Sequence, residues 1–302
     1  MNRKKFLLSW VALIAGTKLS LAGDEKTVAA AKLRFGIITD LHYADRLPNN
    51  SRYYRQSLTK LSECVELMNE QRVDFLIELG DFKDQDIHPD ATETLRFLET
   101  IESKLRQFKG PVHHVLGNHD MDSISKEQFL SRIHNGGFSK ARNYYSFNKG
   151  HYHFIVLDAN YTREGVSYSR GNFDWKDCHI PGEQLKWLEE DLRKHRRPAV
   201  VFIHQQLDGP AYEGDHSRYG PDNADQVRAI LERSGKVLVV FQGHYHDGGY
   251  NIINGIPYYT LKAAIEGDGA HNNSYAVVEI GSDLQVAIKG YRKAVSKTLL
   301  KS

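Results

Sequence analysis

Five short apolar runs in this chain end in a polar cluster, and this arrangement limits the possible folds more than any other feature. The five clusters are Asp40-Leu41-His42, Gly80-Asp81, Gly117-Asn118-His119-Asp120, His204 and Gly243-His244-Tyr245-His246. Stretches with apolar residues three or four positions apart, at 54–68 and 95–108, separate the first three runs and predict helices. Strands that alternate with helices indicate an α/β fold, in which ligands collect at the carboxyl ends of the strands.

The remaining pattern extends this alternation to about residue 291. The predicted strands are 33–39, 74–79, 112–116, 199–203 and 237–241, and further helices are predicted at 182–194 and 222–233. A hairpin is expected after Asn143, around the Asn148-Lys149-Gly150 turn. Because no linker or change of composition interrupts this region, we predict a single domain over 31–292, built from two packed sheets flanked by helices. The Lys-rich segment 293–302 is predicted to be a loosely held tail.

The first 22 residues have the pattern of an export signal. A basic MNRKK start precedes the apolar run Phe6–Gly16, and Ser20-Leu21-Ala22 offers the small residues that a signal peptidase recognises. The run is shorter than the roughly 20 residues that a membrane span needs. We therefore predict a signal peptide over 1–22 that is cleaved after Ala22, and a periplasmic or secreted protein without a transmembrane segment. An uncleaved anchor is the alternative.

Charge and cysteine content exclude several classes of protein. Four of the basic residues lie in the first 22 positions without any acid, so the rest of the 302-residue chain is close to neutral. This balance argues against electrostatic binding of nucleic acid. Cys64 and Cys178 are too few for a disulfide framework or a thiolate zinc cluster. Two buried thiols are favoured over a disulfide between them.

The polar clusters together favour a metal site. A single His after an apolar strand, such as His204, is usually a hydrogen-bonded core residue. Five clusters that converge without a partner would bury many costly polar groups, and bound metal ions remove that cost. Mixed carboxylate and imidazole donors suit Mn, Fe or Zn. Other histidines receive a structural interpretation: His113, His114, His151, His153 and His271.

Taken in order, the motifs D-x-H, GDxxD, GNHD, a strand that ends in His, and GHxH resemble the calcineurin-like metallophosphoesterase superfamily over residues 33–291. The resemblance implies a four-layer α/β/β/α sandwich of two mixed sheets and a pair of divalent ions. It places one ion on Asp40, His42, Asp81 and His246, and the other on Asp81, Asn118, His204 and His244. Two such ions clamp a phosphoryl group and generate a hydroxide nucleophile. His119 is implied to stabilise the transition state or protonate the leaving group, and Asp84 to orient His119.

A narrower resemblance is carried by FGIITDLHYAD, RYYRQSL, PVHHVLGNHD, GHYHDGGY and the stretch 255–266. These segments look like the manganese-dependent ADP-ribose/CDP-alcohol diphosphatase branch, which hydrolyses nucleoside diphosphate compounds and some cyclic nucleotides. Two loops, 161–175 and 212–219, contain aromatic and basic residues that could contact such a substrate. We expect Trp175 and Tyr212 to stack on an organic group, and Arg170 or Arg218 to meet a second phosphate. Ordinary loop packing is the equal alternative.

The predicted function is an exported dinuclear-metal phosphoesterase that cleaves phosphodiester or diphosphate bonds with a metal-bound hydroxide. A broad phosphomonoesterase that scavenges phosphate is the first alternative, and an open, small site would favour it. A non-catalytic binding protein on the same fold is the second, although such proteins typically lose ligands and this chain keeps the whole set. A serine hydrolase is disfavoured because no GxSxG motif is present. The partner is expected to be a small phosphorylated substrate.

Overall fold

The apolar runs form strands of two six-stranded sheets in the computed structural model, which describes residues 32–137, 142–209 and 219–299. The first sheet has the order β12-β11-β10-β1-β2-β3, with β1 (Leu33–Ile38), β2 (Phe75–Glu78), β3 (Val112–His114), β10 (Ser274–Ile280), β11 (Val286–Arg292) and β12 (Lys297–Leu299). Strands β1, β2 and β3 are parallel, whereas β10, β11 and β12 add antiparallel pairs. The predicted signal peptide lies outside the described residues.

The second sheet has the order β4-β5-β6-β7-β9-β8. Its strands are β4 (Tyr145–Lys149), β5 (Tyr152–Val156), β6 (Ala199–Phe202), β7 (Val237–Gln242), β8 (Gly249–Ile253) and β9 (Ile256–Thr260). The four central strands β5, β6, β7 and β9 are parallel, and the edge strands β4 and β8 are antiparallel to their neighbours. Both sheets are therefore mixed: the parallel strands are central in the second sheet, and in the first sheet they run from β1 to the edge strand β3.

Helices cover the outer faces of the sheets. The helices are α1 (Ser57–Gln71), α2 (Ala91–Leu105), α3 (Lys126–Leu130), α4 (Gly182–Lys194) and α5 (Ala224–Ser234). The apolar faces of α1 and α2 join the core on the first sheet, and those of α4 and α5 join the core on the second. The side chain of Asp90 caps α2 by accepting a hydrogen bond from the Glu93 backbone at 2.8 Å. The predicted four-layer α/β/β/α sandwich is confirmed.

A layer of phenylalanines fixes one sheet against the other. The Phe35 ring stacks on Phe75 with centroids 4.8 Å apart, and both rings belong to the first sheet. From the second sheet, Phe154, Phe202 and Phe241 meet Phe35 edge-on at 5.7 to 5.9 Å. Stacked and edge-to-face geometries are the favourable ones for aromatic pairs. This layer aligns the sheets so that the carboxyl ends of their parallel strands meet at one end of the sandwich.

The segment predicted as a loose tail is held to the sheet at Lys297–Leu299. These residues form β12, which pairs with β11, and the Leu299 side chain is buried in the core between the sheets. The Lys297 ammonium also lies 3.9 Å above the Tyr250 ring. The Lys-rich composition concealed this strand, because the contacts that order it come from distant parts of the chain.

Two further properties follow from the described residues. Cys64 and Cys178 are both buried and unpaired, as predicted. Burial raises the pKa of each thiol well above its usual value, which makes both unreactive. In the described ranges, no helix combines the length and apolar character that a membrane span requires.

Candidate metal centre

The loops that follow β1, β2, β3, β6 and β7 meet at one end of the sandwich and bring the predicted metal donors together. Backbone hydrogen bonds join these loops: the Asp40 amide donates to the Gly80 carbonyl at 3.0 Å, and the His42 amide donates to the Asp81 carbonyl at 2.8 Å. Asp40, His42, Asp81 and His244 have positive φ angles of 52°, 45°, 54° and 66°. Such angles are uncommon for residues other than glycine and concentrate at functional sites.

Close approach of the loops also depends on Gly117. A Cβ atom at this position would collide with the backbone and the carboxylate of Asp81. The glycine in the GNHD motif therefore lets the loop that carries Asn118 and His119 pass directly over Asp81.

The donor atoms form two adjacent groups. In the first, His42 Nε2 lies 3.3 Å from His246 Nε2, and Asp40 Oδ1 lies 3.5 Å from His246 Nε2. The second contains Asp81, His204 and His244, with 3.2 Å between Asp81 Oδ2 and His204 Nε2. Asp81 Oδ2 is also 3.4 Å from His42 Nε2, so this carboxylate lies between the groups. Atoms that bind the same ion, each about 2.0 to 2.2 Å from it, are separated by distances similar to those between these donor atoms.

Several donor atoms are buried without a hydrogen-bond partner among the described residues. They are Asp40 Oδ1, His204 Nε2, His244 Nε2 and Asn118 Oδ1. A buried polar atom that makes no hydrogen bond is costly and rare in native proteins. Because these atoms converge, two divalent cations would satisfy them together, and the residues present fit the predicted ion pair.

The outer nitrogens of two ligand imidazoles are held by oxygen acceptors. His204 Nδ1 lies 2.8 Å from the Leu79 carbonyl, and His246 Nδ1 lies 2.6 Å from Glu266 Oε1. Hydrogen bonds of this kind fix the tautomer and leave Nε2 aimed at the metal. Glu266 was not among the predicted site residues. Its distance from His246 along the chain, across the β8–β9 hairpin, gives no local pattern that would reveal the contact.

The cluster has a strongly negative potential. Burial alone would lower the pKa of His204, but the Asp81 and Asp40 carboxylates raise it to about 10. Burial would likewise lower the pKa of His246, and hydrogen bonds with Asp40 and Glu266 raise it to about 9. For His244, burial and the neighbouring His204 lower the pKa to about 3, so its lone pair is available for coordination. The same potential attracts divalent ions, which displace protons when they bind.

His119 and Asp84 lie beside the metal donors, as the resemblance implied. His119 Nδ1 is 3.5 Å from Asp84 Oδ1, and Asp84 Oδ2 is 3.5 Å from both His42 Nδ1 and Arg46 Nη2. Asp84 is buried rather than an exposed turn carboxylate. Burial would lower the pKa of His119, yet the Asp84 and Asp81 carboxylates raise it. A raised pKa favours the protonated imidazole, which is the form that can give a proton to a leaving oxygen.

A cavity of about 510 Å³ opens next to the cluster. Its lining combines site residues with aromatic and charged side chains: Arg52, Asp81, Asn118, His119, Phe173, Trp175, Tyr219, His244, Tyr245, His246 and Asp247. Trp175 lies with its ring centroid 5.5 Å from Tyr219 and 6.2 Å from His244, and Phe173 lies 5.3 Å from His119. The aromatic rings therefore form a wall beside the position where a phosphoryl group would sit.

The other predicted substrate contacts have different outcomes. Arg170 is exposed and bonds Gln128 Oε1 at 2.9 Å, and it is not among the residues that line the cavity. Tyr212 and Arg218 lie outside the described residues. Arg52 and Tyr245 line the cavity but were not predicted. Arg52 begins the RYYRQSL segment quoted for the narrower resemblance, and Tyr245 stands between the two histidines of GHxH, so both had a usable sequence signal.

A two-sheet sandwich with a two-ion donor set at its strand ends defines a metal-dependent phosphoesterase. The model of the family described as calcineurin-like phosphoesterase matches residues 33–248, and the chain belongs to this family. The predicted enzyme class, a metal-dependent hydrolase of phosphoric esters, is confirmed, and so is the cofactor, a pair of divalent metal ions.

Two curated relatives align over most of this chain. A manganese-dependent ADP-ribose/CDP-alcohol diphosphatase from Oryza sativa subsp. japonica is 27% identical, and the alignment covers 77% of this chain and 83% of the relative. A protein of the same name from Danio rerio is 26% identical over 88% of this chain and 97% of the relative. The recognised similarity to this branch is therefore confirmed.

Solved structures show the same fold. A dimetal phosphatase from Danio rerio has a TM-score of 0.74 and 23% identity, and covers 91% of this chain and 100% of its own. A purple acid phosphatase from yellow lupin has a TM-score of 0.62 and 12% identity, and covers 89% of this chain and 54% of its own. At these identities the likeness concerns the fold alone.

Proposed function

We propose that this protein is a manganese-dependent diphosphatase that cleaves nucleoside-diphosphate-linked compounds such as ADP-ribose and CDP-alcohols. The names of the curated relatives support this substrate class. The observation that carries the proposal is the cavity of about 510 Å³, which places an aromatic wall and Arg52 beside the metal donors. A site that accepts only small phosphate monoesters needs neither a cavity of this volume nor the aromatic wall.

The side chains divide the work of the reaction. Asp40, His42, Asp81 and His246 would hold one ion, and Asp81, Asn118, His204 and His244 would hold the other. When bound, the two ions neutralise phosphoryl charge and lower the pKa of water enough to supply a nucleophile near neutral pH. His119 donates a proton to the leaving oxygen, and Asp84 keeps the Nδ1 side of its ring turned away from the substrate.

The residues that line the cavity bind the nucleobase and the second phosphate of the substrate. Trp175 and Tyr219 line the cavity, and we expect their rings to pack against a nucleobase. Arg52 lies at the edge of the same cavity, with Nε 3.8 Å from Glu266 Oε1, and its guanidinium can reach the second phosphate. A diphosphate compound therefore spans from the metal donors to the aromatic wall.

The test is phosphorus NMR of the protein reconstituted with Mn²⁺ and given CDP-choline, ADP-ribose, a phosphodiester and a simple monoester together. A chelated sample is the control. Loss of the diphosphate signals with formation of monophosphates is the expected result. Inorganic phosphate released mainly from the monoester would instead identify a scavenging phosphatase, and the absence of any metal-dependent change would favour the binding-protein alternative.

Trp175→Ala tests the aromatic wall. Stacking on one base contributes about 1 to 3 kcal/mol, so we expect a KM for ADP-ribose at least about fivefold higher and an unchanged KM for a small aryl phosphate. Trp187→Ala is the matched control, because Trp187 lies on α4, packs against Tyr144 and does not line the cavity beside the metal donors. Equal changes in KM for the two substrates would contradict the proposed stacking.

We also propose that the enzyme is exported and that the mature chain begins at Gly23. The supporting observation is the basic, apolar and small-residue pattern of residues 1–22. Mass spectrometry of the N-terminus, after cell fractionation, tests this proposal. Leu8→Arg places a charge in the apolar run and should leave the protein uncleaved inside the cell. A wild-type protein that keeps Met1 and remains in the cytosolic fraction would contradict export.

A further inference from the structure

Lys83 is a buried lysine that neither the metal site nor the substrate cavity uses. It lies in the GDxxD motif between Asp81 and Asp84, and its side chain is 0% exposed. The ammonium donates to the His119 carbonyl at 2.6 Å and forms an ion pair with Asp122, which is also buried. Two charges withdrawn from water carry a large desolvation cost, so the pair is poorly explained by stability alone.

The contacts of Lys83 converge on the turn that carries His119. This turn spans Asn118–Met121. The Asp120 carboxylate accepts from the Phe82 amide at 2.9 Å and from the Gly117 amide at 2.8 Å, which joins the turn to the GDxxD segment. The His119 amide donates to Asp81 Oδ1 at 2.8 Å. The Lys83 ammonium also donates a hydrogen bond to the His119 carbonyl. The amide and the carbonyl of His119 are therefore both bound to the GDxxD segment.

The ring of His119 needs such support. It is 23% exposed and faces the cavity, and its separation of 3.5 Å from Asp84 is longer than a normal hydrogen bond. The backbone contacts of the turn therefore add to this long Asp84 contact in holding His119 in place. A fixed peptide plane limits the positions that the Nε2 atom can reach, and proton donation requires that atom within hydrogen-bond distance of the leaving oxygen.

We propose that Lys83 and Asp122 form a positioning pair that fixes the backbone of His119 and thereby aims its imidazole at the leaving group. The proposal rests on the role of His119 in the proposed function. Lys83 is a positioning residue, because its ammonium contacts the carbonyl of His119 and does not line the cavity. The effect should therefore depend on the leaving group and disappear when His119 is absent.

The experiment compares the phenyl and p-nitrophenyl esters of a nucleoside 5′-monophosphate, since phenolate needs a proton more than p-nitrophenolate does. Lys83→Met is measured together with Lys83→Met/Asp122→Asn, which removes the pair without leaving a buried charge. We expect kcat for the phenyl ester to fall about 10- to 100-fold, because small misplacements of a catalytic group have effects of that size. The loss should be smaller for the p-nitrophenyl ester, with unchanged KM and metal content.

A double-mutant cycle with His119→Ala separates positioning from a general structural role. In the His119→Ala background, Lys83→Met should change kcat by less than about twofold, since the group it positions is gone. An equal loss of kcat in both backgrounds, loss of bound metal, or full activity of Lys83→Met would overturn the proposal. Hydrolysis of the aryl esters without cleavage of CDP-choline would overturn the proposed substrate class but leave this cycle valid.

Lys126→Met is the matched control. Lys126 forms another buried ion pair, with Nζ 2.6 Å from Asp158 Oδ2, and it contacts none of the metal donors. We expect this variant to lose thermal stability to a similar degree as Lys83→Met while its kcat changes by less than about twofold. A comparable loss of kcat in the control would show that the Lys83 effect is only destabilisation, and this too would overturn the proposal.

Discussion

Two clusters of histidine and carboxylate lie at opposite ends of the second sheet, and only one of them is built to bind metal. The metal cluster is at the carboxyl ends of β6 and β7, with His204, His244 and His246. The other, which we call the β5 cluster, contains His153 near the start of β5 and Asp191 and His195 at the end of α4. Both clusters offer imidazole and carboxylate donors within 4.8 Å of one another.

The difference lies in hydrogen bonding. In the β5 cluster, His153 Nδ1 lies 2.8 Å from Asn148 Oδ1, and His153 Nε2 lies 2.5 Å from Asp191 Oδ2. The other Asp191 oxygen accepts from Ser146 at 2.9 Å. These atoms are satisfied by protein partners at hydrogen-bond distance, whereas donors of the metal cluster are 3.2 to 3.5 Å apart and several have no partner in the described chain. Donor composition alone therefore does not define a metal site.

The largest expected effect comes from removing the shared carboxylate. Asp81→Ala should reduce kcat by at least about 10³-fold, because both ions lose a ligand and their ability to stabilise charge in the transition state. Elemental analysis should find fewer than two ions per chain. Asp191→Ala, the control in the β5 cluster, should keep both ions, and loss of metal from this control would erase the distinction between the clusters.

A smaller effect is expected for the carboxylate behind His246. Glu266→Gln weakens the hydrogen bond that fixes the His246 tautomer, so manganese affinity should fall about 10- to 100-fold. Titration with Mn²⁺, followed by the electron paramagnetic resonance signal of the free ion, measures this change without relying on turnover. His153→Gln serves as the matched control for a lost polar contact. Unchanged manganese affinity in Glu266→Gln would contradict the assigned contact.

Disruption of the β5 cluster should affect stability and leave metal binding intact. His153→Ala leaves Asp191 Oδ2 without its hydrogen-bond partner, and we expect the free energy of unfolding to fall by about 1 to 2 kcal/mol. Urea unfolding of the metal-free protein gives this value directly. We expect added Mn²⁺ to raise the free energy of unfolding by the same amount in the wild type and in His153→Ala. If Mn²⁺ bound at the β5 cluster instead, this gain in stability would be lost in His153→Ala.

The smallest effect is a pH dependence. Burial would raise the pKa of Asp191, but hydrogen bonds with His153 and Ser146 and the charge of His153 hold it below its usual value of 3.8. A depressed pKa stabilises the fold above pH 3.8, and that contribution is lost as pH falls through the folded-state pKa. Between pH 5 and pH 3, the wild type should therefore lose up to about 1 kcal/mol more stability than Asp191→Asn. If the urea unfolding midpoints of the two proteins changed equally with pH, the lowered pKa of Asp191 would be contradicted.

The fold and the metal donors could be predicted because their signals are local. A buried strand followed by Asp or His places a donor at a strand end, and parallel pairing brings strand ends together. The predicted helix at 182–194 has the observed bounds, since its apolar spacing is uninterrupted. The structural interpretation of His153 is also consistent with its burial and its satisfied hydrogen bonds.

The residues that the sequence concealed act through tertiary contacts. Glu266 reaches His246 only after β8 and β9 have paired, and Lys83 reaches Asp122 only when the GNHD turn lies over the GDxxD segment. Neither contact has a fixed spacing along the chain. Arg170 shows the opposite error: its residue type suggested a phosphate contact, but the local fold directs its guanidinium to Gln128.

The order of the donors along the chain determines when metal can be loaded during biosynthesis. In the proposed ligand set, Asp40, His42, Asp81 and Asn118 are translated early, but each ion would also take a histidine from the second sheet, and the last of these is His246. A nascent chain that ends before His204 therefore lacks ligands for both ions. With this ligand set, full coordination of the ion pair would require both sheets to be in place, so a fully metallated enzyme would also be one whose two sheets have assembled.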